Sequence, residues 1–380
     1  MSKTQKLFET GAADAYARAW KAQGGKVLGA YCCHLPEEVI YAAGIMPYRL
    51  KGTGCKDTGE AESYMSAFSC SFARATLENF LNGTYDFMDG LVGSDGCMMA
   101  QRVYDNWKHI NTENKRELTF HQLNAPRTYT PRAVDFYHRE IEELKGVVEK
   151  LSGSVVTDEK LFSTIALYNE TRRLIRELYE LRKADAPKVS GSDCLRIILA
   201  AMSMPKAEFN VLLTDFLEEA KSREPITDYS ARLMLIGSAM DDPEYLEIFE
   251  DKGGLFVTDV QCFGSRYLWE PVELKHDDPL TCIADSYLSR VVCPRMCDLH
   301  HELTDLILKM AEDFKVGGIV YVKMRNCDMW GGESTFIDRK VKDAGIPLLI
   351  LEREEIVSNA GQVGVRAEAF LEMIGGGDAV

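Results

Sequence analysis

The sequence predicts an α/β protein with two similar doubly wound parallel-sheet domains and a helical middle section. Three observations support this prediction. Buried-strand segments alternate with amphipathic helical segments in the first and last parts of the chain, which is typical of parallel sheets. A long charged and helix-periodic stretch lies between them. The two alternating parts also share one order of elements. We therefore expect domains at 1–129 and 223–380, with a helical section at 130–222.

The first domain begins with a helix-periodic segment at 4–22, which ends at the Gly24-Gly25 pair. The next helix is predicted at 36–44, because Pro36 suits a first helical position, acids occupy the first turn and Gly44 suits the end. The other elements alternate with these helices. They are strands at 26–31, 46–50, 88–94 and 117–123, and helices at 72–83 and 98–110.

The middle section is long, charged and strongly helix-periodic, and we interpret it as mostly structural. The alternation of strands and helices then returns in the last part of the chain. Its elements are strands at 231–240, 255–260, 319–324 and 346–352, and helices at 243–254, 282–290, 300–318, 336–345 and 363–374.

Two pairs of segments indicate that the α/β parts repeat one plan. Segment 27–50 matches 234–260 in element order, and 85–107 matches 314–341 more closely. Both members of the second pair run from a strand through a cysteine into a helix. We therefore expect two sheets of the flavodoxin or Rossmann type that face one another.

Composition excludes several classes of protein. The 380 residues carry a net charge of −15 and no basic stripe, which argues against nucleic acid as the main partner. A membrane span is not expected, because there is no uninterrupted apolar run of the length it needs. The N-terminal segment is polar and lacks the apolar core of a signal peptide. We expect a cytoplasmic protein.

Cysteine usage points to metal or redox chemistry, with buried thiols as the plain alternative. The chain has 11 cysteines, an odd number and too few for a disulfide scaffold. Five of them follow predicted strands, where open α/β sheets bind ligands. Cys32, Cys33, Cys97, Cys262 and Cys327 have this position, whereas Cys70 precedes a helix and Cys293 follows one.

Spacing argues against the common cysteine sites. Structural zinc sites use close pairs, and the nearest candidate here, Cys293 and Cys297, is a loose C-x3-C. Ferredoxin-type spacing is also absent. Cysteines scattered singly over the chain suit a cluster held between two domains. From spacing alone, such a cluster and a set of buried thiols remain equal alternatives.

Six segments together resemble the 2-hydroxyacyl-CoA dehydratase / benzoyl-CoA reductase superfamily. In chain order they are YCCHLPEEVIYAAGIMPYRLKG, SYMSAFSCSFARATLENFLNGTYDFMDGLVGSDGCMMAQRVYDNWK, LYNETRRLIRELYELRK, DVQCFGSRYLWE, IADSYLSRVVCPRM and RNCDMWGGES. The resemblance covers nearly the whole chain, and the ordered combination is specific.

The resemblance implies an oxygen-sensitive iron–sulfur cluster. Dehydratase subunits of this superfamily hold a 4Fe-4S cluster with three cysteines, which match Cys70, Cys97 and Cys327. The chain has three further cysteines at matching places, Cys32, Cys262 and Cys293. With them it resembles the double-cubane branch, whose 8Fe-9S cluster takes three cysteines per cubane. Cys33 is an alternative to Cys32, and Cys297 an alternative to Cys293. The resemblance is also consistent with an acidic shell that lowers the cluster's reduction potential, with a solvated surface as the alternative explanation of the net charge of −15.

The resemblance also implies partners and a reaction. A separate ATP-hydrolysing iron–sulfur activator delivers a low-potential electron, and this chain lacks the G-x4-GK[ST] motif that would bind ATP itself. In the dehydratase version the electron reduces the thioester carbonyl of an acyl-CoA to a ketyl radical, which expels a hydroxyl. In the reductase version the electron enters an aromatic acyl-CoA ring. The chain would pair with itself or with a paralogous subunit.

Two other functions remain open. One is a stand-alone double-cubane homodimer that reduces small molecules without CoA, and the other is a non-catalytic electron-storage subunit. The middle section is a candidate dimer surface, with a domain spacer as the alternative.

A few further residues are candidates for contacts to a cluster or to phosphate. Gly264, Ser265 and Arg266 follow a presumed ligand at the mouth of the cleft, although a structural turn is the alternative. The 48–54 loop, YRLKGTG, has the residue types of a phosphate cradle or of a solvated loop. His34 suits acid–base chemistry or a core position, and Glu37 and Glu38 suit a substrate contact or a first helical turn. No catalytic residue is assigned.

Overall fold

Two four-stranded parallel sheets form the centre of the computed structural model, which describes residues 3–290, 293–356 and 360–375, with only the backbone at 3 and 10–13. The first sheet contains β1 (Lys26–Ala30), β2 (Ile45–Arg49), β3 (Gly90–Ser94) and β4 (Thr119–Leu123). The second contains β5 (Ala231–Gly237), β6 (Gly254–Val260), β7 (Gly318–Met324) and β8 (Leu348–Arg353). Their strand orders, β2-β1-β3-β4 and β6-β5-β7-β8, are equivalent. The predicted fold class, two similar doubly wound sheets, is confirmed.

The helices of the described residues alternate with these strands, except for a run of four in the middle. They are α1 (Thr10–Ala22), α2 (Glu37–Ala42), α3 (Ser71–Leu81), α4 (Met98–Glu113), α5 (Pro131–Ser152), α6 (Asp158–Lys183), α7 (Gly191–Ala201), α8 (Lys206–Lys221), α9 (Pro243–Glu250), α10 (Pro279–Arg290), α11 (His300–Asp313), α12 (Asp328–Asp343) and α13 (Ala360–Gly375). None of them is both long enough and apolar enough to cross a bilayer.

The strand order creates a cleft at one edge of each sheet. In the first sheet, β1 pairs with β2 on one side and with β3 on the other, so the connections leave β1 in opposite directions. In the second sheet, β5 has the same position between β6 and β7. Loops that follow these central strands separate and leave a crevice, which is where doubly wound sheets bind ligands.

Apolar side chains fill both faces of the first sheet. Leu28 and Ala30 face a cluster that includes α2, α5 and α10, whereas Val27 and Met46 face a cluster that includes α1, α3 and α4. This alternation follows from the two-residue side-chain period of a strand. Residues on α10 come late in the sequence, yet they pack with α5 against the first sheet.

The middle helices are packing layers for both sheets. Helix α5 contacts β4, and α6 and α7 contact β6. The side chains of Thr130, Thr157 and Ser190 cap α5, α6 and α7 by accepting hydrogen bonds from backbone N–H groups of the first turn. The strongly periodic sequence of this region therefore reflects burial against two different neighbours.

Several helix boundaries differ from the sequence expectation, including the end of α11, which lies at Asp313 and not at 318. The predicted helix at 4–22 is divided into a 3-10 turn at Lys3–Leu7 and α1, because Leu7 is buried and Phe8 packs edge-on against Phe216 of α8. Pro36 precedes the first turn of α2 and does not lie in it. Helix α9 ends at Glu250, four residues before the predicted end.

The largest difference concerns α12, which begins at Asp328 and not at 336. Gly331 and Gly332 lower the helix propensity of this segment, by about 1 kcal/mol each. Packing overcomes this penalty, because Trp330 is buried and lies edge-on to Tyr321 of β7. The helix therefore begins immediately after Cys327.

Hydrogen bonds hold the two sheets with their clefts toward one another. Asp241, after β5, accepts hydrogen bonds from the backbone N–H groups of Gly52 at 2.6 Å and Thr53 at 3.1 Å, after β2. The backbone N–H of Glu355 donates to the hydroxyl of Ser71 at 2.8 Å. These contacts join the chain segments that border the cleft from both sides.

Candidate metal centre

Seven cysteines line one cavity of about 140 Å³ in the cleft between the sheets. They are Cys32, Cys33, Cys70, Cys97, Cys262, Cys293 and Cys327. All six cysteines predicted as cluster ligands are among them, together with the alternative Cys33. Cys32 and Cys327, which are 295 residues apart in the chain (327 − 32), thus line the same cavity. The strand topology explains much of this convergence.

Strand ends deliver most of these thiols. Cys32 follows β1, Cys97 follows β3 and Cys327 follows β7, which are central strands, while Cys262 follows the edge strand β6. Because carboxyl ends of parallel strands lie at the same edge of a sheet, the side chains after them reach the same crevice. Cys70 enters the cavity at the start of α3.

Three of the cysteines share a position at the start of a helix. Cys70, Cys97 and Cys327 occupy the N-cap positions of α3, α4 and α12, and we call them the helix-cap cysteines. The thiol of Cys97 accepts a hydrogen bond from the backbone N–H of Ala100 at 3.4 Å. Free N–H groups and the positive end of the helix dipole favour negative charge at such a position.

Burial opposes ionisation of the free helix-cap thiols. It raises the pKa of Cys70 to about 12, and the neighbouring thiols of Cys327 and Cys97 add to this effect. Burial likewise raises the pKa of Cys97 to about 11, against the hydrogen bond from Ala100. Both groups are therefore neutral thiols at pH 7 in the absence of metal. A metal that binds them must displace their protons.

The other proposed ligands lie beside arginines. Cys32, Cys262 and Cys293 line the cavity together with Arg49 and Arg266, and we call them the arginine-flanked cysteines. Burial raises the pKa of Cys262, and the charges of Arg266 and Arg49 oppose that rise. A hydrogen bond from Cys33 lowers the pKa of Cys32 to about 5. One thiolate is therefore already present at neutral pH.

The two alternatives left open by the sequence have different outcomes. Cys293 lines the cavity, whereas Cys297 is exposed, is absent from the lining and contacts the carbonyl of Arg295. Cys32 and Cys33 both line the cavity. The sulfur of Cys32 lies close to Gly96, because a Cβ atom on Gly96 would be only 3.0 Å from that sulfur. This contact places Cys32 beside the loop that carries Cys97.

The charged residues of the lining are basic, so the expected acidic shell is wrong for the described lining. They are Arg49, Arg266 and Arg295, and no Asp or Glu side chain accompanies them. The negative net charge of the chain belongs to other surfaces. Arg49 is buried, its Nε and Nη1 atoms have no hydrogen-bond partner, and its guanidinium lies 5.4 Å from the ring of Phe263. A buried cation without such partners favours an anionic occupant.

The structure separates the predicted group of Gly264, Ser265 and Arg266. Only Arg266 lines the cysteine cavity. The backbone N–H of Ser265 and its hydroxyl donate to Asp259, both at 2.7 Å. A Cβ at Gly264 would lie 2.0 Å from the Asp259 carboxylate, so only glycine fits there. Gly264 and Ser265 thus form the structural turn that positions Cys262 and Arg266.

The loop after β2 does not present a free phosphate cradle. Its N–H groups at Gly52 and Thr53 already donate to Asp241. Lys51 pairs with Asp14 at 3.2 Å. Arg49 faces the cysteines. In this loop, therefore, Arg49 lines the cysteine cavity, and Lys51, Gly52 and Thr53 bind protein groups.

Glu37 and Glu38 lie in the first turn of α2 and are buried. Glu38 pairs with Arg172 at 2.5 Å, and Glu37 accepts a hydrogen bond from Tyr267 at 2.7 Å. Both carboxylates therefore connect α2 to neighbouring elements and are engaged with protein groups.

His34 is buried, and neither of its ring nitrogens has a hydrogen-bond partner. Its burial, followed by the charges of Arg295 and Arg266, holds its pKa well below the usual range. The imidazole is therefore neutral at pH 7.

Arg295 is the residue of this site that the sequence analysis missed. Its guanidinium pairs with Asp95 at 3.0 Å and donates to the carbonyls of Ala125 at 2.6 Å and Pro126 at 3.0 Å. It thereby fixes the segment after Cys293 to the loops that follow β3 and β4. Its position two residues after a predicted ligand was the available signal.

The remaining cysteines lie elsewhere. Cys194 and Cys282 are buried in the core, as their helical positions suggest, and the thiol of Cys194 contacts Arg182 at 3.0 Å. Cys55 lies in a loop and contacts the carbonyl of Asp57. Placement after a strand or before a helix therefore describes six of the seven cavity thiols, whereas Cys293 follows α10.

The donor set suits a cluster better than a single ion. Among residues 3–290, 293–356 and 360–375, no three His, Cys, Asp or Glu side chains are grouped closely enough to hold one metal ion. The thiols surround a cavity instead, and cysteine sulfur is the usual ligand of iron–sulfur clusters. Basic residues and helix N-termini complement an anionic cluster. The residues present fit such a group.

Comparison with known proteins agrees with this geometry. The family described as 2-hydroxyglutaryl-CoA dehydratase, D-component, matches residues 32–374. The (R)-phenyllactyl-CoA dehydratase beta subunit of Clostridium sporogenes is 26% identical over 356 residues, covering 92% of each chain. A benzoyl-CoA reductase subunit of Thauera aromatica is 25% identical and covers 91% of this chain and 90% of its own.

The (R)-2-hydroxyglutaryl-CoA dehydratase subunit beta of Acidaminococcus fermentans is 23% identical, over 93% of this chain and 94% of its own. The similarity thus extends through both sheets and the middle helices. The matched residues include every cysteine of the cavity. The chain belongs to the 2-hydroxyglutaryl-CoA dehydratase D-component family.

Proposed function

We propose that this chain is the iron–sulfur subunit of an enzyme of the 2-hydroxyacyl-CoA dehydratase or benzoyl-CoA reductase type. The observation that carries the proposal is the convergence of seven cysteines on one cavity between two sheets. A cluster bound there supplies one-electron transfer at low potential. The electron would pass to an acyl-CoA.

The two cysteine groups would divide the ligation. The helix-cap cysteines would hold one cubane, and the arginine-flanked cysteines a second, as in a double-cubane cluster. Cys32 and Cys97 would lie at the junction, because the charge of Cys32 acts on Cys97 and the sulfur of Cys32 lies beside Gly96, the residue before Cys97. The three helix N-termini and the arginines would stabilise the negative charge of the cluster.

The apolar lining would limit access of water to the same space. Phe72, Met324 and Met329 are among the lining residues. Such surroundings lower the local dielectric and influence the reduction potential of a bound cluster.

An ATP-hydrolysing activator and a second subunit are the proposed partners. The three relatives described above are all named as subunits, two of them as beta subunits, which supports a paralogous partner. Large apolar side chains lie exposed beside two ligands: Phe68 is 85% exposed near Cys70, and Met98 is 63% exposed next to Cys97. A partner that docks at the mouth of the cleft would cover both side chains.

One observation favours a second candidate, a protein that reduces small molecules without CoA or stores electrons for a partner. The cysteine cavity holds about 140 Å³, less than the roughly 300 Å³ at which drug-sized ligand pockets begin. The loop after β2 offers no free phosphate cradle. The substrate of a dehydratase or reductase would therefore lie partly on another subunit.

Anaerobic turnover assays test the proposal. The chain, loaded with iron and sulfide, is mixed with an activator and ATP, and its visible spectrum is followed. We expect ATP-dependent reduction of the cluster, followed by reoxidation when a 2-hydroxyacyl-CoA or an aromatic acyl-CoA is added with the paralogous subunit. Reoxidation by small molecules alone would favour the second candidate. Absence of any ATP-dependent reduction would contradict both.

A further inference from the structure

A second cavity, of about 250 Å³, shares the side chain of Arg266 with the cysteine cavity. Its other walls combine a second arginine, Arg290, with the indole of Trp269 and the apolar side chains of Leu306 and Met310. No cysteine lines it. This cavity, which we call the side pocket, is therefore chemically distinct from the metal centre.

Arg290 is the central residue of the side pocket. It is the last residue of α10, its guanidinium lies 3.9 Å from the ring centroid of Tyr287, and its Nη1 donates to the carbonyl of Glu270 at 2.7 Å. Within the described part of the chain it forms no ion pair with an Asp or Glu side chain. A guanidinium fixed in this way keeps donors for an anion and loses little entropy when it binds one.

The surrounding charge has the sign that an anion requires. Burial and the charge of Arg172 lower the pKa of Arg290, whereas Tyr287 and the carboxylate of Glu38, which pairs with Arg172, oppose that change. Arg266 is the second guanidinium of the lining, on the wall shared with the cysteine cavity. The one acidic lining residue, Glu270, is exposed, and the contact it makes to Arg290 is through its backbone carbonyl. With two arginines and one acidic residue in its lining, the pocket therefore carries a net positive charge.

The apolar walls indicate the body of the ligand. Trp269 is held edge-on against Tyr179 at 5.0 Å, and its carbonyl accepts a hydrogen bond from Arg176, so the indole has a fixed position. Leu306 and Met310 of α11 complete the apolar surface. At roughly 30 Å³ per water molecule, the pocket has the volume of about eight waters, enough for a small ring or a short chain.

We propose that the side pocket binds a small organic carboxylate. Its carboxylate would bind the guanidinium of Arg290, with Arg266 nearby, and its apolar body would lie against Trp269 and Met310. Bidentate pairing of a guanidinium with a carboxylate provides orientation, and the apolar walls select an organic anion over inorganic phosphate. The site is independent of the proposed electron transfer, although Arg266 joins the two cavities.

Equilibrium dialysis of benzoate against the full chain, purified anaerobically with whatever it binds, tests the proposal. We expect saturable binding at one site, and at least tenfold weaker binding of the neutral isostere benzamide and of inorganic phosphate. Arg290→Gln should weaken benzoate binding at least tenfold, since a charge-assisted hydrogen-bonded pair is lost. The matched control is Arg366→Gln, which removes an exposed arginine that also donates to a backbone carbonyl. It should leave binding within twofold.

A second variant keeps the test valid if Arg290→Gln does not fold. Ser289→Trp places a large side chain at an exposed lining position and leaves Arg290 intact, so it should also weaken benzoate binding at least tenfold. The proposal is overturned if wild-type protein shows no saturable benzoate binding, or if the folded variants bind benzoate like wild type. It is also overturned if benzamide or phosphate binds as tightly as benzoate.

Discussion

The helix-cap and arginine-flanked cysteines line the same cavity but lie in different electrostatic environments. The helix-cap group ends at three helix N-termini, where partial charges favour a thiolate, but burial keeps the free thiols of Cys70 and Cys97 protonated. The other group lies beside full positive charges, and there Cys32 already has a low pKa. The thiols of one cavity thus differ in their affinity for protons.

The same comparison distinguishes what the two sheets repeat from what they do not. Cys97 and Cys327 are equivalent, because each follows the third strand of its sheet and precedes a long helix. The first strands differ: β1 is followed by Cys32, but the loop after β5 presents Ser238 to the cavity. The edge strands differ too, with Arg49 ending β2 and Cys262 following β6. Cys97 and Cys327 thus follow the repeat between the two sheets, whereas the arginine-flanked cysteines do not.

Loss of a helix-cap ligand should have the largest effect. Cys97→Ala removes a ligand at the equivalent position of the repeat, and we expect loss of the cluster's visible absorbance and of ATP-dependent activity. Iron analysis and activity assays under anaerobic conditions measure both. Cys55→Ala is the matched control, because Cys55 lies outside the cavity. A Cys97→Ala protein with full iron content would remove Cys97 from the ligand set.

Loss of an arginine-flanked ligand should have a partial effect. Cys293→Ala should lower the iron content by about half, to roughly 4 Fe per chain, because one cubane would keep its three cysteines. Cys297→Ala should keep full iron, since Cys297 is exposed and does not line the cavity. Iron and sulfide analysis of the two variants side by side measures the difference. The reverse ranking would assign the ligand to Cys297.

The low pKa of Cys32 predicts a pH profile in the metal-free protein. Its thiolate should form as pH rises through about 5, so the rate of alkylation at Cys32 should rise there and be flat above. Cys33→Ala removes the hydrogen bond that lowers this pKa, and the midpoint should move toward the ordinary thiol value of about 8.5. Peptide mapping after timed iodoacetamide treatment measures both curves. Equal midpoints would show that Cys33 does not act on Cys32.

Neutralising one arginine should have the smallest effect. Arg49→Gln removes a buried positive charge beside Cys32 and Cys262, and an anionic cluster then gains a further electron less readily. We expect a reduction potential lower by about 60 mV, a tenfold change in a one-electron equilibrium. Redox titration followed by electron paramagnetic resonance measures it. Arg102→Gln, at an exposed position on α4, is the control and should leave the potential unchanged.

Much of this arrangement could be predicted from the sequence. Alternating strand and helix patterns predicted both sheets, and cysteines directly after predicted strands predicted which thiols would meet. Local patterns failed where tertiary packing decides the outcome. Gly331 and Gly332 resemble a helix stop, but burial of Trp330 extends α12 back to Cys327.

The charge of the cysteine cavity could not be predicted from composition. A net charge is a sum over all surfaces, whereas the lining depends on which few side chains point inward. Arg49 lines the cavity as the last residue of β2, and Arg266 does so because the turn after β6 directs it into the cleft. The packing of α10 against α5 could not be predicted either, because no local sequence pattern encodes contacts between helices so far apart in the chain.

Iron and acid-labile sulfide per chain, determined on anaerobically purified protein together with Mössbauer spectroscopy, test the central claim most directly. If both cysteine groups ligate iron, the protein should contain about 8 Fe per chain in cuboidal clusters. The Cys32→Ala and Cys262→Ala variants should each lose about half of it. A wild-type content of about 4 Fe per chain, unchanged in those variants, would contradict the account and leave only the helix-cap cysteines as ligands.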